Sequence, residues 1–453
     1  MRIGVVHGRK YYLRNITTAL DTLAEHGHEL VFAMSERKAF TRRVPRSLRD
    51  YAGISAAVYP ARRDDGLEGG QRLIRALRDA ARYEKPEFRG AHANRTRAYR
   101  KLQEALTREG ISLSVGPPAR KFSNDDLDAF DAVLAALDRL IPPSAPMLAF
   151  LHEERFDVAV GITRVNFGYN EAGLVRAAQA AGVPVGMVVW SWDNLSSKGL
   201  LHEPPDRLFV WNELQAQEAV DMHGLDRATV EVTGAPRFDA FFALRPTASR
   251  AELLEADGLD PDRRTILYLG SSGFVTKSEP DFIDEWVRAL RASDEPTLRE
   301  ANVLVRAHPG ASDEPAWTAW TAEDAAVAAP VSRARAQQLF DQLSVADAVV
   351  ALNTSAELEA AIAGKPVLTV TVGDRAPGQE GTSHFTYLLA GHGGFVETAG
   401  SLKDHLPQLV HALEEDPHAG ARSRFVESFL RPHGIDRPAG PVLADAIERL
   451  AGG

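Results

Sequence analysis

Asn353-Thr354-Ser355-Ala356-Glu357-Leu358-Glu359 brings an amide, two hydroxyls and two carboxylates together directly after an apolar run from 348 to 352. Gly364 and Pro366 follow, and 367 to 370 is apolar again. The pattern predicts a strand, a short helix ended by Gly364 and not continued past Pro366, and a second strand. A parallel strand that runs into Asn-Thr-Ser at a helix start offers backbone N–H groups, hydroxyls and the positive end of the helix dipole. That setting suits a phosphate or diphosphate. Glu357 and Glu359, within the first turn, are placed to hold sugar or ribose hydroxyls. The same residues have a second use. Thr354-x-x-Glu357 is the pattern of a capping box, and an early-helix acid such as Glu359 complements the dipole with no ligand present.

Other predicted strand ends in this half carry similar groups. Gly270-Ser271-Ser272-Gly273 follows the strand at 265 to 269, and its small residues let a ligand approach the backbone. Arg306-Ala307-His308-Pro309-Gly310 follows another strand, with Pro309 as its stop; His308 is either a ligand contact or a turn residue bonded to backbone. Gln379-Glu380-Gly381-Thr382-Ser383-His384-Phe385 follows the strand at 367. Open α/β sheets bind ligands outside the carboxyl ends of their strands. Gly270, Ser271, Ser272, Arg306, His308, Thr354, Ser355, Glu357, Glu359 and His384 are therefore one candidate binding set.

A second set lies earlier. Val189-Trp190-Ser191-Trp192-Asp193-Asn194-Leu195-Ser196-Ser197-Lys198-Gly199 ends an apolar run. Indoles stack on sugar faces while Asp and Asn grip hydroxyls, so Trp192, Asn194 and Lys198 are candidate contacts to a second substrate, with Asp193 a general base. The alternative is a turn in which Asp193 and Asn194 bond their own backbone and the tryptophans fill core. His7-Gly8-Arg9-Lys10 ends the first strand; His7 is the second candidate base and Arg9 a further substrate contact. Arg164, Asn166 and Asn170 follow the strand at 158 to 162, and Arg237 follows Gly234-Ala235-Pro236.

Two sheets are needed to position these loops. Residues 2 to 7, a helix through Ile16, Ala19, Leu20 and Leu23, and a strand from 30 to 34 predict a βαβ opening. It has no Gly-x-Gly-x-x-Gly, so no dinucleotide site is expected at its first turn. Residues 60 to 150 break the rhythm as an arginine-rich helical insertion punctuated by Pro86, Pro117, Pro118, Pro142, Pro143 and Pro146. Strands resume at 158, 183 and 208, and Asn212-x-x-Gln215 predicts a helix cap. A polar stretch from 244 to 264 is expected to cross to a second α/β series. The expectation is an α/β protein of two Rossmann-like, doubly wound parallel-sheet domains facing a cleft, at 1–245 and 246–430, with 431–453 a helix crossing back.

At 453 residues, 44% hydrophobic and 25% charged, the chain is too long for one ordinary core. The absence of cysteine excludes disulfides and thiolate metal sites. No long apolar run predicts a signal peptide or a membrane span, so a soluble, cytoplasmic protein is expected. The net charge of −10 argues against nucleic-acid binding, yet residues 37 to 121 hold 21 Lys and Arg against 9 Asp and Glu. In a helix near 70 to 82, Arg75, Arg78 and Arg82 share one stripe. That stripe is expected either to recruit an anionic partner or the inner membrane surface, or to pair with acids elsewhere in the protein.

Arg306-x-His308-Pro309, followed by a strand, Thr354-Ser355, an acidic helix and Gly364-Lys365-Pro366-Val367, resembles the C-terminal half of GT-B glycosyltransferases. The nearest branch holds CDP-glycerol glycerophosphotransferases, capsule-polysaccharide transferases and UDP-N-acetylglucosamine 2-epimerases. The resemblance implies a nucleotide-diphosphate sugar donor, UDP-linked first, bound by the second domain, and an acceptor bound by the first: a cell-surface glycan, a lipid-linked or anionic small molecule, or a secondary metabolite. Carried over by position, His308 would meet the diphosphate, Thr354 and Ser355 the phosphate, and Glu357 or Glu359 the ribose or sugar. The chain lacks the glycine-rich acidic motif of common retaining transferases and the aspartate-rich loop of glycerophosphotransferases. No cofactor and no protein-bound metal are expected, since no Asp-x-Asp accompanies these motifs. The alternatives are a nucleotide-sugar 2-epimerase, a glycerophosphotransferase, and a nucleotide-sugar-binding scaffold without turnover.

Overall fold

In a computed structural model, the short apolar runs become parallel strands buried on both faces, as a sheet covered by helices on each side requires. The structure describes all residues except 7–12, 35–45, 49–50, 61–62, 89, 120, 164, 166, 168–170, 277–278, 311–314, 321–323, 325, 330–335 and 453. His7, Arg9, Arg164, Asn166 and Asn170 lie outside the described residues.

The first sheet contains β1 (Arg2–Val6), β2 (Glu29–Met34), β3 (Ile54–Val58), β4 (Val158–Thr163), β5 (Val185–Val189), β6 (Arg207–Val210) and β7 (Val230–Val232). Its order is β3-β2-β1-β4-β5-β6-β7. Alternate side chains serve two cores. Ile3, Val5, Leu30, Phe32, Val158 and Val160 pack on one face, and Val6, Val31, Ala33 and Ala159 on the other. The second sheet contains β8 (Thr265–Leu269), β9 (Asn302–Arg306), β10 (Val327–Ala328), β11 (Ala348–Ala351), β12 (Val367–Val370) and β13 (Val396–Ala399), in the order β10-β9-β8-β11-β12-β13. Strand order reverses between β1 and β4 and again between β8 and β11, and such switch points are where doubly wound sheets open a ligand crevice.

The chain divides into two compact units, Met1–Asp239 with Glu427–Gly453, and Ala240–Val426. These borders fall before the expected 245 and 430. Residues 244 to 264 are not a crossover; they belong to the second unit and include the helix Arg250–Ala256, whose start is held by a Ser249–Glu252 capping box. Within the first unit the last helix, Ala439–Gly452, buries Leu443, Ala446 and Ile447 against Leu20 and Leu23 of the helix Thr17–Glu25. The Asp239 carboxylate holds its start, accepting from the N–H groups of Ala439 (2.9 Å) and Gly440 (2.7 Å) and from Thr18 Oγ1 (2.8 Å). Gly234, at φ +87°, brings the chain so close that a Cβ would stand 2.8 Å from that of Ala439.

The insertion contains the helices Glu68–Arg82, His92–Arg108, Asn124–Leu140 and Ala145–Glu154. Its arginine stripe does not face solvent. Arg75, Arg78 and Arg82 are all buried. Arg75 pairs with Asp138 at 3.0 Å and Arg78 with Asp131 at 2.8 Å, both acids lying on the helix Asn124–Leu140. The expected cationic face of this stripe is thus corrected: acids 63 and 53 residues away in sequence pair with Arg75 and Arg78, and Arg82 is bonded to backbone carbonyls.

Candidate functional site

Four loop ends of the second unit are tied into one cluster at the carboxyl edge of the sheet. The Gly270 N–H donates to the Arg306 carbonyl at 2.8 Å, and a Cβ at Gly270 would stand 3.0 Å from both the Arg306 oxygen and the His308 nitrogen. This close approach is why a glycine follows β8. The Asn353 N–H points to Ser271 Oγ at 3.4 Å, while its side-chain amide reaches the Gly378 carbonyl (3.3 Å) and Thr382 Oγ1 (3.3 Å). The Gln379 side chain, fully buried, donates to the carbonyls of Leu352 and Val370, each at 2.9 Å, and so binds the ends of β11 and β12 together. His384 is buried in the 3-10 turn Ser383–Tyr387 just beyond Thr382.

Two buried carboxylates stand in this cluster. Glu279 accepts the Ser271 N–H on both oxygens (2.8 and 3.0 Å) and the Tyr268 hydroxyl at 3.0 Å; burial nonetheless pushes its pKa up to about 7. Glu357 is completely buried, and burial pushes its pKa up to about 8. Its Oε2 accepts the Thr354 N–H at 3.0 Å. Its Oε1 is buried and meets no donor among the described residues. The capping box is therefore half formed. Glu357 makes its bond to the Thr354 backbone, whereas Thr354 Oγ1 is 3.5 Å from the Ala356 nitrogen and does not serve the Glu357 N–H, which goes to the Thr354 carbonyl. A buried acceptor left open beside a hydroxyl-rich loop is a place for a ligand's hydroxyl.

His308, half-buried, accepts the Gly310 N–H on Nδ1 at 3.0 Å, so the proton of the neutral ring sits on Nε2. Thr354 is buried, while Ser272, Ser355 and Glu359 are half-buried. Arg306 departs from expectation. Its guanidinium is buried against Gln342 (2.8 Å) and Gln338 (3.3 Å) of the helix Ala336–Val345, and burial lowers its pKa against the opposing field of Glu359. It braces that helix. Sequence reasoning passed over Glu279 because an acid in the first turn of a helix is ordinary, and its burial beneath Ser271 has no local sign. The bracing by Gln379 and Asn353 has no local sign either, since it depends on long-range contacts.

In the first unit the loop after β5 folds as a turn leading to a one-turn helix, Asn194–Ser197. Trp192 is 2% exposed and Asn194 completely buried, the latter accepting the Ser191 N–H at 2.9 Å. Neither offers a face to a sugar, so both are corrected to structural residues. Lys198 is buried and pairs with Asp193 at 2.9 Å, and the Asp193 carbonyl accepts the Ser197 hydroxyl at 2.6 Å. The helix Glu68–Arg82 clamps this loop from behind. Arg82 donates to the carbonyls of Gly199 (2.7 Å), Lys198 (3.2 Å) and Leu195, Tyr83 donates to Lys198 O at 2.7 Å, and Asp79 accepts the Leu200 N–H at 2.7 Å. His223 closes the bracket, taking the Leu201 N–H on Nδ1 (3.0 Å) with Nε2 2.8 Å from the Leu195 carbonyl. Burial holds its pKa well below the ordinary imidazole value. Arg237 is half-buried with its guanidinium 4.9 Å from the centre of the Phe238 ring.

No family model and no curated protein matches the chain in sequence. Solved structures do match in shape. The UDP-GlcNAc 2-epimerase of Neisseria meningitidis, bound to UDP-GlcNAc, aligns over 99% of this chain and 100% of its own at 13% identity, with a TM-score of 0.51. The UDP-GlcNAc 2-epimerase of Methanocaldococcus jannaschii aligns over 99% and 100% at 10% identity and TM-score 0.51. The N-terminal domain of Candida albicans trehalose-6-phosphate phosphatase aligns over 100% and 96% at 11% identity and TM-score 0.50. At such identities the likeness is one of fold. The class it defines, together with two parallel sheets each wound about a switch point, is the GT-B α/β architecture.

Proposed function

We propose that this protein is a GT-B glycosyltransferase that binds a nucleotide-diphosphate sugar, UDP-linked first, at the β8/β11 switch point and transfers the sugar to a cell-surface glycan or secondary-metabolite acceptor. The observation that carries it is Glu357: a fully buried carboxyl whose Oε1 has no donor among the described residues, set in a cluster of serine, threonine and histidine groups. A ribose or sugar hydroxyl donating to Oε1 supplies the missing bond and favours the carboxylate form. The hydroxyls of Ser271, Ser272, Thr354 and Ser355 suit the diphosphate, and an Nε2–H on His308 suits the charge that develops on the leaving oxygen. On the acceptor side Asp193 is the base candidate, with Lys198 paired to its carboxylate at 2.9 Å.

One finding keeps the nucleotide-sugar 2-epimerase as a second possibility. The arginine stripe that favoured a separate acceptor is buried, Arg75 and Arg78 paired with acids and Arg82 bonded to loop carbonyls, so the stripe does not argue for a second substrate. A thermal-shift screen of UDP-, CDP-, GDP- and dTDP-sugars, followed by NMR of the stabilising compound, separates the two. Epimerisation with no acceptor present selects the epimerase; nucleoside diphosphate released only when an acceptor is added selects the transferase. Binding without turnover selects a scaffold, and no shift with any of the four nucleotides removes the donor site.

A further inference from the structure

On the first unit, away from the loops discussed so far, two imidazoles and a carboxylate converge. His26 follows the helix Thr17–Glu25 and His28 leads into β2, with Gly27 between them at φ +81°. A glycine in this left-handed conformation turns the chain so that both flanking rings reach the same neighbour. That neighbour is Glu448 of the last helix, which packs on Thr17–Glu25. His26 Nδ1 and His28 Nε2 each lie 2.7 Å from the same atom, Glu448 Oε1, and the three candidate ligand atoms all fall within 4.8 Å of one another.

We propose that His26, His28 and Glu448 form a binding site for one divalent transition-metal ion of the zinc class, which fastens the last helix to the turn between the helix Thr17–Glu25 and β2. Two imidazole nitrogens and one carboxylate oxygen make the mixed N/O donor set that Zn²⁺ accepts, with water completing a four-coordinate shell. Bonds of about 2.0 to 2.1 Å to each ligand would set the nitrogens about 3.3 Å from the oxygen. The present separations of 2.7 Å need to open by roughly half an ångström, within reach of a rotation of the Glu448 side chain. The surroundings are acidic. Glu25 and Asp445 both raise the His26 pKa, though less than Glu448 does, and Glu448 itself is lowered by the two histidines against the effect of burial. The other charged groups nearby are the Met1 amino nitrogen, 3.3 Å from His28 Nδ1, and Glu29, which is paired with Arg2. Without metal the trio is held by imidazole–carboxylate hydrogen bonds, so metal and protons compete for the same two nitrogens.

The site is separate from the proposed donor pocket, so its test does not depend on the transferase. The full-length protein, stripped with a chelator, is titrated with Zn²⁺ by calorimetry and with Co²⁺ by visible absorption, and melted with and without metal. The expected result is one equivalent bound, a rise in the melting temperature, and a Co²⁺ spectrum of low-coordinate N/O type. His28→Gln and Glu448→Gln should each weaken binding at least tenfold, and binding should fade as the pH drops through the imidazole range. Circular dichroism confirms that each variant is folded; a double variant His26→Gln/His28→Gln, confined to one turn, covers the case in which Glu448→Gln is not. No binding to the stripped protein, or equal binding by wild type and all variants, overturns the proposal.

Discussion

In the proposed donor site a single carboxyl, Glu357, links stability to ligand binding. Its pKa is about 8 and that of Glu279 about 7, both above the ordinary 4.5 because burial disfavours the charged form. For an acid whose folded value is raised, the folded state holds more protons than the unfolded one between the two values. The contribution of Glu357 to stability is therefore fully present below about pH 4.5 and is lost as the pH rises through about 8. Glu357→Gln keeps the shape and cannot ionise, so its melting temperature should exceed that of wild type at pH 8.5, with the gap closing towards pH 5. Parallel melting curves at every pH would show that Glu357 does not titrate as a buried acid. The same substitution should weaken binding of the nucleotide sugar at least tenfold, about 1.4 kcal/mol, because an amide cannot replace the carboxylate acceptor in both oxygens. His308→Ala should lower turnover by a similar factor; wild-type kinetics in that variant would take His308 out of the site.

At the scale of elements, the helix Glu68–Arg82 works as a clamp. Arg82 is buried, burial lowers its pKa, and it satisfies three carbonyls of the loop that carries Asp193 and Lys198. Arg82→Met fills the space but leaves the Gly199 carbonyl without its donor and the Lys198 and Leu195 carbonyls with one each, from Tyr83 and His223, which should cost roughly 2 kcal/mol and show as a drop in the unfolding midpoint. A surface arginine would cost less than about 0.5 kcal/mol, so a near-neutral result would return the stripe to the surface. Much at this scale was legible in the sequence. The apolar runs at 158, 185, 208, 265, 302, 348 and 367 are strands because β-branched runs bounded by turn residues have few other uses. Asn212 does cap its helix, accepting the Gln215 N–H at 2.9 Å. The strands β3, β10 and β13 escaped notice: β10 is two residues long, and Ile54–Val58 and Val396–Ala399 lack a continuous apolar signal. The arginine stripe could not be settled from spacing, because its partners Asp131, Asp138 and the loop carbonyls are set by tertiary contacts. Trp192 and Asn194 failed for the same reason: a polar, aromatic loop has one composition whether it lines a site or fills a core.

At the scale of the whole molecule, the first unit is completed only by the far end of the chain. Leu443, Ala444, Ala446 and Ile447 share a core with Ile3, Val5, Leu20 and Phe32, residues more than 400 positions away in sequence. Asp239, at the last residue before the chain enters the second unit, anchors the start of that returning helix with two backbone N–H groups, Thr18 and an Arg431 contact at 3.4 Å. One carboxylate thus sits where the chain leaves the first unit and bonds the segment with which it comes back. Asp239→Ala removes the acceptor for two buried N–H groups at once. It should destabilise the first unit by about 2 to 4 kcal/mol, while the second unit, Ala240–Val426, keeps its own core and its own melting transition. Differential scanning calorimetry resolves this as one transition moving down and the other staying in place. Deleting residues 439 to 453 should go further, exposing Leu20, Leu23 and Ile3 to water, and should abolish the first transition while leaving nucleotide-sugar binding by the second unit measurable. Were both transitions to fall together in Asp239→Ala, the expectation that the two units melt separately would be overturned.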